Sequence, residues 1–166
     1  LPFVQYFINH GQPWPCPACE VIASAGDIAM LQYAIETNCP ISRYATAQAA
    51  MNGHLQCLQF LHENNAHWDE ATTISAATGG HLHCLQYAHE NGCPWPCSTD
   101  RIENEEDDEV GDDLDNICTV AARGGQLECL KYAHSQGIIL QHRLLRSAAK
   151  HPNGLECLKF GHEKGL

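Results

Sequence analysis

Ala76-Ala77-Thr78-Gly79-Gly80-His81-Leu82-His83-Cys84-Leu85-Gln86-Tyr87-Ala88-His89-Glu90-Asn91-Gly92 is the stretch on which the fold of this chain turns. The alanine pair belongs to a helix with little bulk, and Gly79-Gly80 breaks it. From His81 to Glu90 helical spacing resumes, and Asn91-Gly92 stops it again. The same order returns along the whole chain. Aligned on one apolar tetrad, the copies are Phe3-Val4-Gln5-Tyr6, Met30-Leu31-Gln32-Tyr33, Cys57-Leu58-Gln59-Phe60, Cys84-Leu85-Gln86-Tyr87, Cys129-Leu130-Lys131-Tyr132 and Cys157-Leu158-Lys159-Phe160. The step is constant over the first four copies, lengthens once between Cys84 and Cys129, and gains a single extra residue between Cys129 and Cys157. The unit is thus about 27 residues, inside the range of roughly 20–50 that marks a stacked array.

Within a unit the pattern predicts a short helix, a Gly turn, a second helix and a Gly or Asn stop. In one copy these are Ala45 to Met51, Asn52-Gly53, His54 to Glu63 and Asn64-Asn65. Turn glycines recur at Gly26, Gly53, Gly80 and Gly125, and stops recur at Gly11, Asn38, Asn65, Gly92, Gly137 and Gly165. At about 100° per residue, Gln56, Gln59 and Glu63 form a narrow polar stripe. Leu55, Cys57, Leu58, Phe60, Leu61 and His62 cover the remaining arc, too wide for an ordinary surface helix. Neighbours on three sides would cover it, as in a solenoid. Helix 1 is made of small residues, with Ala49-Ala50, Ala76-Ala77, Ala121-Ala122 and Ala148-Ala149. Small residues let the first helices crowd together, which predicts a concave face on their side. The expectation is an all-α helix-turn-helix repeat solenoid of six repeats, the terminal ones incomplete.

These residues resemble ankyrin repeats. The stretch from Ala76 to Gly92 matches the family's Ala-Ala, Gly-His-Leu and closing Gly in register, and the resemblance spans essentially the whole chain. It is similar to a short variety with a Cys-Leu-x-Tyr…His-Glu-Asn-Gly-Cys-Pro-Trp pattern. The unit is about six residues shorter than the usual 33, and the Thr-Pro-Leu-His entry to helix 1 is absent. A tight loop is therefore expected in place of the family's projecting β-hairpin. The resemblance implies a non-catalytic scaffold that binds a protein.

Composition bounds the rest. The chain has 166 residues, 44% hydrophobic and 17% charged, enough for one folded array over 1–166 and too apolar for a disordered tail. No apolar stretch reaches the roughly 18 residues that a spanning helix needs, so no membrane is expected as partner. The sequence starts at Leu1 without Met or a signal-like segment and ends inside the repeat pattern, as a piece of a longer protein would. Formal charge is -11, and half of the twenty acids lie between Asp100 and Asp115. This acidic insertion, taken as 99–115, falls between repeats four and five. Outside the Asp100–Asp115 stretch ten acids face eight bases, which leaves no electrostatic footprint for nucleic acid. The stretch does not read as a Ca²⁺ loop, since Glu106, Asp108 and Val110 fall where three oxygen ligands are required before Gly111. It reads as a solvated insertion, with Glu105, Asp107 and Asp108 as candidate contacts for a basic partner.

Ten cysteines could mean a disulfide framework, but Cys57, Cys84, Cys129 and Cys157 share one helical position beside Leu. Buried thiols behave as small hydrophobes, so a reducing, intracellular setting is expected, cytoplasmic or nuclear. Each of these cysteines is followed one turn and a half later by a histidine, at His62, His89, His134 and His162. Where the cysteine gives way to Phe3 or Met30, the histidine gives way to Ile8 or Ile35. That spacing turns a helix by about 140° at about 100° per residue, so a Cys and His of one unit cannot share a ligand. Between units they can meet, Cys57 near His89 or Cys84 near His62. This predicts a buried Cys-His ladder, with Zn²⁺ bridging adjacent units as the alternative. A thiol enzyme needs one exposed, activated thiolate, and four copies of one dyad in a row argue against catalysis. The pair Cys16 and Cys19 is a CxxC and Cys93 to Cys97 a CxxxC; Cys19 and Cys118 sit in the core slot of Thr46, Thr73 and Leu145. Trp14, Trp68 and Trp95 take a slot otherwise held by Ile41 and Leu140, which predicts packing under the next unit.

Residues just after each alanine pair vary from unit to unit: Ser24, Met51, Thr78, Arg123 and Lys150. Variation on a fixed frame points to Asn52, Thr78, Arg123 and Lys150 as partner contacts on the concave side, supplemented by the acidic insertion. No cofactor and no small-molecule substrate are expected.

Overall fold

A computed structural model of the chain describes residues 14–15, 17–96 and 116–166. The Phe3 tetrad, Ile8, Gly11, Cys16, Cys97 and the candidate contacts Glu105, Asp107 and Asp108 lie outside the described residues. Within them are five helix pairs: α1 (Ala18–Ala25) with α2 (Ile28–Glu36), α3 (Ala45–Met51) with α4 (Leu55–Glu63), α5 (Glu70–Gly79) with α6 (Leu82–Glu90), α7 (Ile117–Arg123) with α8 (Leu127–Ser135), and α9 (Arg143–Ala149) with α10 (Leu155–Glu163). No strand occurs among the described residues.

Local chemistry sets the ends of these helices. Asp27 accepts from the Met30 amide at the start of α2, Asp69 from Ala71 at α5, and Asn116 from Thr119 at α7, each satisfying one orphan donor of the first turn. The stops fall where the sequence put them: Asn38 and Asn65 take φ of 60° and 57°, and Gly92, Gly137 and Gly165 are likewise left-handed.

The first helices form one layer, α1 on α3 on α5 on α7 on α9, packed closely throughout and most extensively at α3 on α5. Ala23, Ala49, Ala50, Ala76, Ala77, Ala121, Ala122 and Ala148 are buried in it. The second helices touch one another less and are held mainly by Leu31, Leu58, Leu61, Leu85 and Leu130, all fully buried. Each such leucine contributes about 2 kcal/mol of apolar burial. Polar residues inside that layer are tied: Thr46 Oγ1 donates to the His67 carbonyl at 3.0 Å and shares a 3.1 Å hydrogen bond with Thr72, and Thr73 Oγ1 donates to the Pro94 carbonyl at 3.0 Å.

On either side of the acidic insertion the chain is already closed, because the Ile117 amide donates to the Pro96 carbonyl at 3.3 Å. Removing Thr99 to Asp115 would leave only Cys97, Ser98 and Asn116 between these partners, a span that an ordinary turn bridges. The deletion should keep its full helical circular-dichroism signal and melt within about 1 kcal/mol of the parent. A collapse of the signal would mean that the insertion is part of the core.

Candidate functional site

Helical spacing running from the cap of α3 puts Tyr44, Gln48 and Met51 on one face of the first-helix layer. Tyr44 is 46% and Met51 41% exposed, and Val21 at the equivalent face of α1 is 44% exposed. The Arg43 guanidinium lies over the Tyr44 ring, 4.6 Å from its centroid. Farther along the stack the same register turns basic. Arg123 and Lys150 are both exposed there, and Arg146 is exposed in the last turn of α9. The face thus runs from aromatic and apolar at one end to cationic at the other.

The four expected contact positions do not behave alike. Asn52 is exposed, but its side-chain amide donates to the Gln48 carbonyl at 2.9 Å. Thr78 is only half-buried and its hydroxyl is engaged with the Ile74 carbonyl at 2.8 Å. Arg123 and Lys150 are both exposed. Sequence reasoning left out Val21 and Tyr44, whose signal was a large apolar side chain on the polar side of an alanine-rich helix.

The expected Cys-His ladder is replaced by two separate rows. His62 Nδ1 shares a 2.9 Å hydrogen bond with Tyr87 Oη and its ring stacks on Trp68, with centroids 3.7 Å apart and planes at 21°. His89 repeats this with Tyr132 at 2.9 Å and Trp95 at 4.0 Å and 15°. His134 has Phe160 and Leu140 in the corresponding slots, and its Nδ1 donates instead to the Ile138 carbonyl at 3.2 Å. His162, in the last helix, is exposed. The cysteines Cys57, Cys84, Cys129 and Cys157 stay in the buried layer. Burial pushes the Cys84 thiol up to about 12, with the Cys129 sulfur adding to it, and Cys129 up to about 11; Cys57 and Cys157 are raised by the same cause. These four side chains are small hydrophobes, held as thiols at neutral pH. The physical reason is the angular offset itself: it sends sulfur to the inner layer and imidazole to the loop edge, where Trp and Tyr are waiting.

In one unit the whole set is exchanged together. Ile35 has Ile41 and Phe60 in the slots that Trp68 and Tyr87 occupy around His62, so neither a stacking indole nor a hydroxyl is offered. The set does not co-vary throughout, since His134 keeps its imidazole with Leu140 and Phe160 in these slots, and Trp14 and Tyr33 stand in the slots that belong to Ile8. The tryptophans pack between units as expected: Trp14 and Trp95 lie against the core. Trp14 Nε1 also donates to Thr37 Oγ1 at 3.1 Å.

A second set of ties joins consecutive units at the turns. The residue that precedes α4, α6 and α8 reaches back to the previous first helix: His54 Nε2 donates to the Ser24 carbonyl at 3.1 Å, His81 bonds the Met51 main chain, and Gln126 Nε2 donates to the Thr78 carbonyl at 3.4 Å. Burial holds the His81 imidazole below the usual histidine range, and His83 and His54 add to this.

Among the described residues no three or more His, Cys, Asp or Glu side chains converge in a way that could hold a metal ion. Nor is any described helix long and apolar enough to cross a membrane. Residues 47–89 match the family model for ankyrin repeats (many copies). The fold is similar to the crystal structure of the human ASB11 ankyrin repeat domain, with a TM-score of 0.67 and 18% identity over 92% of this chain and 70% of that one. No curated protein matches the sequence.

Proposed function

We propose that this array of ankyrin repeats is a non-catalytic scaffold that holds a protein partner against the face of its first-helix layer. Ankyrin repeats are generally protein–protein interaction modules. The observation that carries the reading is the register Ser24, Met51, Thr78, Arg123, Lys150, where side chains of changing chemistry follow the buried alanines Ala23, Ala50, Ala77, Ala122 and Ala148 of the first helices. Such a frame presents an ordered surface without having to reorganise on binding. The gradient on the face defines the partner: a segment with apolar anchors toward Val21, Tyr44 and Met51, and acidic residues toward Arg123 and Lys150. A reducing intracellular setting fits the buried thiols, and the reading needs no cofactor.

Charge reversal tests it. With a physiological partner purified, Arg123→Glu together with Lys150→Glu should weaken binding about tenfold or more, chiefly through slower association and with a steeper loss at low salt. The melting temperature should stay within a degree or two, because both side chains are exposed. Unchanged affinity, or a loss seen only for Gln59→Glu and Gln86→Glu on the second helices, would place the partner on the opposite side.

A further inference from the structure

Cys19 in α1 and Cys39 just after α2 stand apart from the row of repeat cysteines. Their sulfurs are 3.1 Å apart, inside one unit, and the side chains are 0% and 5% exposed. The Cys39 amide donates to the Ala34 carbonyl at 2.8 Å, which fixes the backbone that carries the second thiol. The corresponding slots elsewhere have different chemistry. In the next unit they hold Thr46 and Ala66, in the following one Thr73 and Cys93, then Cys118 and Ile138. In each of those the main-chain carbonyl beside the second slot is held by a conventional donor: Thr46 on His67, Thr73 on Pro94, Asn116 on Ile139. At Pro40 the Cys39 thiol takes that place, at 3.8 Å. The unit has therefore exchanged a hydroxyl-to-carbonyl tie for two facing thiols.

We propose that Cys19 and Cys39 are an oxidation site, a dithiol that closes to a disulfide and staples helix 1 of its unit to the loop after helix 2. A disulfide requires sulfurs about 2.05 Å apart, so closure asks for an approach of about 1 Å between side chains that already face each other. The oxidant is a small-molecule disulfide. Cys39, the more accessible of the two, attacks it as a thiolate, forming a mixed disulfide and releasing one small thiolate. The Cys19 thiolate then attacks the Cys39 sulfur, forming the Cys19–Cys39 bond and releasing the second small thiolate. Both protein protons pass to the two departing thiolates, and the two electrons lost by the protein sulfurs reduce the small disulfide to two thiols. Burial, with Cys39 beside it, pushes the Cys19 thiol up to about 12. Closure is accordingly slow at neutral pH and should quicken about tenfold per pH unit.

The full chain, incubated with oxidised glutathione, alkylated under denaturing conditions and digested, should yield a Cys19–Cys39 linked peptide. Cys118, in the same slot but opposite Ile138, should remain alkylatable. The oxidised chain should melt about 5 °C or more above the reduced one. Cys19→Thr with Cys39→Ala copies the Thr46 and Ala66 pair of the adjacent unit, so it should fold and melt as the reduced parent does while losing both the linked peptide and the oxidant-dependent rise. Two thiols that stay alkylatable after oxidation, glutathione left on Cys39 without closure, or linkage of either residue to another cysteine would each overturn the assignment.

Discussion

Gly53→Val should lower the stability of the chain by about 3 kcal/mol, seen as a fall in the urea midpoint with little change in slope. Two separate effects add. Gly53 has φ +75°, where a side chain, above all a β-branched one, is strained by about 1–2 kcal/mol. A Cβ there would also lie 2.5 Å from His81 Nδ1, so the ring must leave and its hydrogen bond to the Met51 main chain is lost. That loss, with the repacking it forces, adds about 1–2 kcal/mol. Gly92 separates the two effects: its φ is +80°, yet nothing stands within 4 Å of its would-be Cβ. Gly92→Val should show the backbone strain alone. Equal losses at both positions would mean that the inter-unit approach at Gly53 contributes nothing.

Trp68→Ala should cost about 3 kcal/mol, comparable to other large aromatic deletions from packed sites, because the indole is stacked on His62 and lies beside Tyr87, 6.3 Å between ring centroids. Tyr87→Phe should cost only about 1 kcal/mol, the share of its hydrogen bond to His62. The sharper test is a transplant. His62→Ile, Trp68→Ile and Tyr87→Phe together reproduce the Ile35, Ile41 and Phe60 set found one unit earlier. The triple variant should recover to within about 1 kcal/mol of the parent, although Trp68→Ile alone does not. A triple loss equal to the sum of the single losses would show that the three positions do not act as one contact.

The architecture was legible because it depends on local signals repeated in phase. Gly26, Gly53, Gly80 and Gly125 are all left-handed, as are the stops from Asn38 to Gly165; a turn that needs positive φ names its residue in the sequence. The alanine pairs announced the close-packed layer just as directly. Contacts between units were harder. The Cys-His offset was read as a contact between cysteine and histidine of adjacent units, but periodicity gives the angle of a side chain and not the identity of what it meets. His62 finds a tyrosine from the next second helix and a tryptophan from the intervening loop, and a search restricted to residues with metal or acid–base chemistry passes over both. The Cys19 and Cys39 pair was hidden for a related reason. Each slot takes cysteine once more among the units compared, at Cys118 opposite Ile138 and at Cys93 opposite Thr73, so only the structure reveals that in this unit the two sulfurs meet.

The ties at the turns all point one way. His54, His81 and Gln126 reach from a later unit to the main chain of an earlier one, and nothing in the earlier unit must move to accept them. A polypeptide leaving the ribosome therefore carries each fastener on the segment that emerges second, and the segment already outside presents only main-chain groups that water can satisfy meanwhile. At these turns the donor emerges after its acceptor, so each of these ties can close as the unit that carries it folds onto the one before.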